Sequence, residues 1–167
     1  MKKLKIIIVS ILIANFFWSC EKDDICESGT PTTSRLIIEF YDNNNITIKK
    51  NIENLVIGTD TEVAVLKFNG VSKIEIPLKT NVNLSTFYFR LTTSENIPTL
   101  INEDKINVNY TKKDTYISRA CGFKTVFTLN ANTGFSVTAD ANNWIKNSTV
   151  LQPNVLNENE THVKIFF

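Results

Sequence analysis

Arg35-Leu36-Ile37-Ile38-Glu39-Phe40-Tyr41 sets Leu36, Ile38 and Phe40 against Arg35, Glu39 and Tyr41 at a spacing of two. Side chains two apart on an extended chain share a face, so this stretch predicts a strand with one side in a core and the other in solvent. The same period returns in Ile74, Ile76 and Leu78, in Phe87, Phe89 and Leu91, and in Ile106, Val108 and Tyr110. It returns again in Phe123, Thr125, Phe127 and Leu129, and in Val163, Ile165 and Phe167. The segments between are rich in asparagine, which bonds nearby backbone and tolerates the left-handed conformations of turns.

Asp42-Asn43-Asn44-Asn45, Asn69-Gly70 and Lys112-Lys113-Asp114 read as turns, the second of them suited to a tight hairpin. Residues 92–104, which hold Pro98, and residues 131–143 read as the two longest loops. No sustained helical period and no internal repeat is present. About nine to eleven short strands are expected. They point to an all-β fold, a single antiparallel β-sandwich of immunoglobulin-like form, with a small barrel as the alternative.

Upstream of this domain the texture changes. Lys2, Lys3 and Lys5 precede an apolar run from Ile6 to Trp18, followed by Ser19-Cys20. A basic start and a short apolar run describe a secretory signal peptide. The run is shorter than the ~20 residues that span a bilayer. A small residue directly before a cysteine resembles the bacterial lipobox, although Phe17 and Trp18 are bulkier than that pattern favours. The reading is a signal peptide over residues 1–19, a lipidated Cys20 opening a tether over residues 20–34, and the sandwich over residues 35–167. Lys22, Asp23 and Asp24 look like the signal that sends lipoproteins of the Bacteroidetes to the outer face of the outer membrane, with a plain acidic tether as the alternative. The expected location is the outer membrane, lipid-anchored and facing the cell surface, or else facing the periplasm.

The chain carries 18 basic and 17 acidic side chains, and three of the lysines belong to the signal. Nothing in that balance suggests a nucleic-acid footprint, which would need a clustered basic face. Of three cysteines, acylation of Cys20 leaves Cys26 and Cys121 either as a disulfide or as two separate buried thiols. An oxidising compartment favours the disulfide.

Asp23-Asp24-Ile25-Cys26, Ser118-Arg119-Ala120-Cys121-Gly122 and the ending His162-Val163-Lys164-Ile165-Phe166 resemble a family of uncharacterised Bacteroidetes lipoproteins. The resemblance implies one all-β lipoprotein domain with Cys26 and Cys121 paired, and it implies no activity.

Candidate sites are few. Cys121 with His162, the sole histidine, would make a thiol nucleophile and its base only if that cysteine were free; His162 is otherwise expected half exposed on the last strand. Asp42-Asn43-Asn44-Asn45 lacks the glycine and distal glutamate of a calcium loop, and one histidine does not make a zinc site, so no metal and no cofactor is expected. Asp140, Asn142 and Asn143 beside Trp144 could form a sugar-binding patch, with the indole stacked on a ring; the alternative is a core tryptophan beside a polar loop. The functional expectation is a non-enzymatic outer-membrane lipoprotein, an accessory or interaction module of an envelope or surface complex, held to the membrane at Cys20. Its partners would be other outer-membrane proteins, and a glycan-binding module of a nutrient-uptake system is the alternative.

Overall fold

A computed structural model describes residues 25–60, 65–94 and 99–167. Cys20, Lys22, Asp23 and Asp24 lie outside the described residues, as does Pro98 of the first expected loop. The described residues form eleven strands and no helix. They are β1 (Leu36–Tyr41), β2 (Leu55–Gly58), β3 (Leu66–Phe68), β4 (Lys73–Ile76), β5 (Leu84–Thr92), β6 (Leu100–Ser118), β7 (Gly122–Leu129), β8 (Phe135–Val137), β9 (Asn147–Val150), β10 (Asn154–Val155) and β11 (Val163–Phe166).

These strands build the expected all-β sandwich from two sheets, one ordered β4-β1-β11-β9 and a longer, curled one ordered β10-β7-β6-β5-β2-β3, with β8 also on β6. The chain divides into two compact units. The larger comprises Pro31–Thr115 and Lys124–Phe167 and contains the whole hydrophobic core. The described part of the smaller comprises residues 25–30 and Tyr116–Phe123.

One pairing departs from the antiparallel expectation. β1 runs parallel to β11, from Ile38 opposite Val163 to Tyr41 opposite Phe166. Its other edge meets β4 antiparallel, Leu36 opposite Ile76. A strand flanked on both edges has no free backbone, and here neither face is free: all six residues of β1 are buried. Leu36, Ile38 and Phe40 enter the core, as expected. The outer face, expected in solvent, is covered instead. Tyr41 packs on Phe166 at 5.9 Å with the Lys164 ammonium 4.3 Å from its ring, and Glu39 is closed in by Tyr41 and Lys49.

Expected turns and loops also fall elsewhere, and β8 interrupts the loop expected over residues 131–143. Asn69-Gly70 closes no hairpin: β3 pairs with β2, while β4 pairs with β1 in the other sheet, so this glycine, at φ 66°, carries the chain between sheets. Lys112-Lys113-Asp114 lies inside β6. Leu100 already belongs to β6, so the loop expected over residues 92–104 ends early, because Leu100 to Asn109 pairs along β5. The reversal after β6 is made at residues 119–122, where Gly122 takes φ 68°, a conformation that a β-carbon disfavours. A different constraint acts at Gly134, between β7 and β8, where an added β-carbon would sit 2.6 Å from the Asn130 carbonyl.

Polar groups inside the core are paired. The Tyr110 hydroxyl, 1% exposed, donates to the Lys79 carbonyl at 2.7 Å and accepts from Ser85, whose own oxygen accepts the Lys79 amide at 2.9 Å. Burial of this phenol pushes its pKa up, against the pull of those hydrogen bonds.

Candidate functional site

The stretch read as a possible ligand loop is positioned by a buried carboxylate. Asp104 on β6 is fully buried; its Oδ2 accepts the Ile145 amide at 2.8 Å and its Oδ1 the Trp144 amide at 3.3 Å. Two backbone donors converging on one carboxylate fix the backbone at Trp144-Ile145 and direct both side chains inward. The Trp144 indole donates to the Phe89 carbonyl at 3.2 Å and meets the Phe167 ring edge-on at 5.5 Å. Trp144 is 7% exposed. Its face is therefore not open for stacking on a sugar, and the patch proposed with it loses its aromatic platform.

The three polar members of that loop remain at the surface but bond one another. Asn143 accepts the Asp140 amide at 2.7 Å and donates to the Thr138 carbonyl at 3.0 Å, while Asp140 accepts the Asn142 amide at 2.7 Å. These are the local side-chain-to-backbone bonds that make asparagine and aspartate turn formers.

Cys26 and Cys121 form a disulfide, with α-carbons 4.9 Å apart and 95 residues between them in sequence. Cys121 is then no nucleophile. His162 is fully buried, not half exposed. Its Nδ1 accepts the Ile37 amide at 2.9 Å, and burial pushes its pKa down despite the nearby Glu160 and Glu158.

The disulfide lies in the smaller unit, beside a concavity of about 570 Å³. Ile25, Thr30, Tyr116 and Arg119 line it together with Cys121. The turn that carries Cys121 is braced locally, the Ser118 hydroxyl accepting the Cys121 amide at 3.0 Å. Next to the concavity, Tyr116 at the end of β6 and Phe123 at the start of β7 form an edge-to-face pair, ring centroids 5.3 Å apart. Both are exposed, at 55% and 67%, and Ile25 is 78% exposed. Sequence periodicity placed Phe123 on the same face as Phe127, which is buried; the positive φ of Gly122 just before it marks where that strand begins.

Titratable groups with shifted pKa values are engaged elsewhere, in structural pairs. Arg35 holds Glu158 with two guanidinium bonds, 2.7 and 2.8 Å, and a backbone bond of 3.0 Å, which lower the Glu158 carboxyl to about 2. Arg35 also reaches Glu75 at 2.7 Å. For Glu39, burial acts to raise the pKa, but hydrogen bonds from Lys49 at 2.6 Å and Tyr41 at 2.9 Å outweigh it and the net shift is downward. Among the described residues no group of three or more His, Cys, Asp and Glu side chains is placed to hold a metal ion.

The model of a family of unknown function, DUF6452, matches residues 45–167, a span that takes in Cys121, Trp144 and His162. No curated protein matches the chain, and no solved structure does. Because the matched span covers well over half of its length, the chain belongs to the DUF6452 family.

Proposed function

We propose that this chain is a lipid-anchored, non-enzymatic outer-membrane lipoprotein of a Bacteroidetes bacterium, an interaction or accessory module of an envelope or surface complex. The observation that carries the reading is the Cys26–Cys121 disulfide. It uses two of the three cysteines and leaves Cys20, at the end of the apolar run, as the odd one. A cysteine in that position after a small residue is the acylation acceptor of a lipoprotein, and several acyl chains hold a protein stably on a membrane. A disulfide also fits a chain that leaves the cytosol.

The non-enzymatic part is supported by where the perturbed groups sit. Arg35, Glu39, Lys49, Glu158, Tyr110 and His162 are each hydrogen-bonded within the fold, and none lines the concavity beside the disulfide. Lys22, Asp23 and Asp24 direct the protein to the cell surface in this proposal.

Metabolic labelling with a clickable palmitate analogue tests the anchor. Label is expected on the native protein and absent from Cys20→Ala; an unlabelled native protein overturns the reading. Protease shaving of intact cells tests the address. The native chain is expected to be cut, and a variant with Lys22, Asp23 and Asp24 changed to Ala to be protected; protection of both moves the protein to the periplasmic side.

A further inference from the structure

We infer that Tyr116, Phe123 and Ile25 form a foot that rests on the lipid headgroups beside the anchor. This rests on acylation of Cys20, as proposed above. Three large apolar side chains, each more than half exposed, gather in the small unit that the disulfide closes. Scattered exposed hydrophobics need no explanation, but a cluster within one small unit does.

The tether decides what the cluster meets. Five residues, Glu21 to Ile25, separate Cys20 from Cys26. Fully extended, that stretch reaches ~20 Å, less than the thickness of a bilayer's hydrocarbon core. Cys26 is bonded to Cys121, one residue before Gly122 and two before Phe123. The lipid surface is therefore within reach of the foot at all times.

The chemistry suits that surface. A tyrosine presents an apolar ring with a polar tip, the combination that settles at the headgroup level, and an adjacent phenylalanine and isoleucine add apolar area that enters slightly deeper. A second copy of the chain is the competing occupant. Three side chains offer far less than the ~1,200–2,000 Å² that a stable protein interface buries. A membrane contact needs no such area, because the acyl chains already supply the attachment. The foot then sets how the disulfide-closed unit rests on the membrane.

The test uses the mature lipoprotein, purified from membranes and reconstituted in phosphatidylcholine vesicles, carrying Phe123→Trp. Intact-mass analysis first reports whether Cys20 is acylated. Emission of the added indole, read against native protein so that buried Trp144 cancels, is then compared in plain vesicles and in vesicles of acyl-brominated lipid. Acylated protein whose added emission shifts to the blue and is quenched by brominated lipid supports the foot, at the ~5–10 Å depth of interfacial side chains. Acylated protein with water-like, unquenched emission overturns it and leaves the anchor standing. A blue shift that ignores brominated lipid and grows with protein density also overturns it, in favour of a second copy. Unacylated protein removes the anchor and the foot together. Tyr116→Trp repeats the measurement from the other strand, so that a folding defect in one variant does not decide the result.

Discussion

Ile37 and His162 exchange two hydrogen bonds: the Ile37 amide donates to the imidazole Nδ1 at 2.9 Å, and the His162 amide donates to the Ile37 carbonyl at 3.1 Å. Both residues are fully buried, one step before β1 and β11 begin their parallel register. An Nδ1 that accepts a proton bond cannot carry a proton, so the ring is neutral with its hydrogen on Nε2. That nitrogen has no partner among the described residues.

Acid should therefore loosen the fold through this ring. The folded pKa is lowered, while the unfolded chain takes up a proton near the ordinary ~6.5, so stability is present above that value and is lost as pH falls below it. The slope is at most ~1.4 kcal/mol per pH unit. Urea midpoints at pH 7.5 and 5.5 should differ more in the native protein than in His162→Asn, which keeps an acceptor but does not titrate.

Replacing Asp104 tests the carboxylate that places Trp144. An asparagine there can accept from only one of the two amides and turns its own N–H₂ toward the other. The expected loss for Asp104→Asn is ~2–3 kcal/mol by chemical denaturation. Asp140→Asn, at the surface of the same loop, should stay within ~1 kcal/mol.

Trp144→Ala should destabilise by ~3–5 kcal/mol, because it removes a large buried ring and leaves a cavity against Phe167. Indole emission is the quicker check. In native protein that lacks residues 1–19, Trp144 should emit in the blue and resist quenching by acrylamide; a red, freely quenched emission would refute the buried placement.

Glu158 should stay ionised in acid that neutralises ordinary carboxylates. Its pKa, lowered to about 2 by Arg35, should return toward ~4.3 in Arg35→Gln when carboxyl carbons are followed by NMR. Its stabilising effect is present above the unfolded pKa and fades as pH falls toward 2. The pair is solvent-facing, so removing it should cost less than ~1 kcal/mol at neutral pH.

Opening the disulfide should weaken the fold far more. A bridge between residues 95 apart restricts the unfolded chain by ~4–5 kcal/mol on the chain-entropy model. The double variant Cys26→Ser, Cys121→Ser should lower the melting temperature by a similar amount to reductant on the native protein.

Alternation in the sequence finds most of these strands because each buries one face: Phe87 and Phe89 on β5, Ile106 and Val108 on β6, Val163 and Ile165 on β11. It fails where a partner distant in sequence decides the outcome. Glu39 and Tyr41 look like a solvent face until Lys49, Phe166 and Lys164 close over them. Lys112 and Lys113 look like a turn, yet backbone pairing carries β6 through them, since a strand tolerates charge wherever its face is open. Trp144 beside three polar residues reads equally as a platform or as core. Asp104, forty residues earlier in the chain, and the still earlier Phe89 carbonyl hold it inward. The Cys26–Cys121 pairing was expected on the reading that Cys20 is acylated, a count that needs no geometry.

The parallel pairing of β1 with β11 also sets an order of events. A chain made from its N-terminus exposes β1 first, six residues that are all buried in the end, and the strand that completes its sheet is the last of the eleven to appear. Pairing across that separation is slow, since loop closure must precede any gain from contact. Until Val163 to Phe166 arrives, β1 is an adhesive edge in search of a partner. The protein is thus obliged to remain unfinished for as long as it is being made.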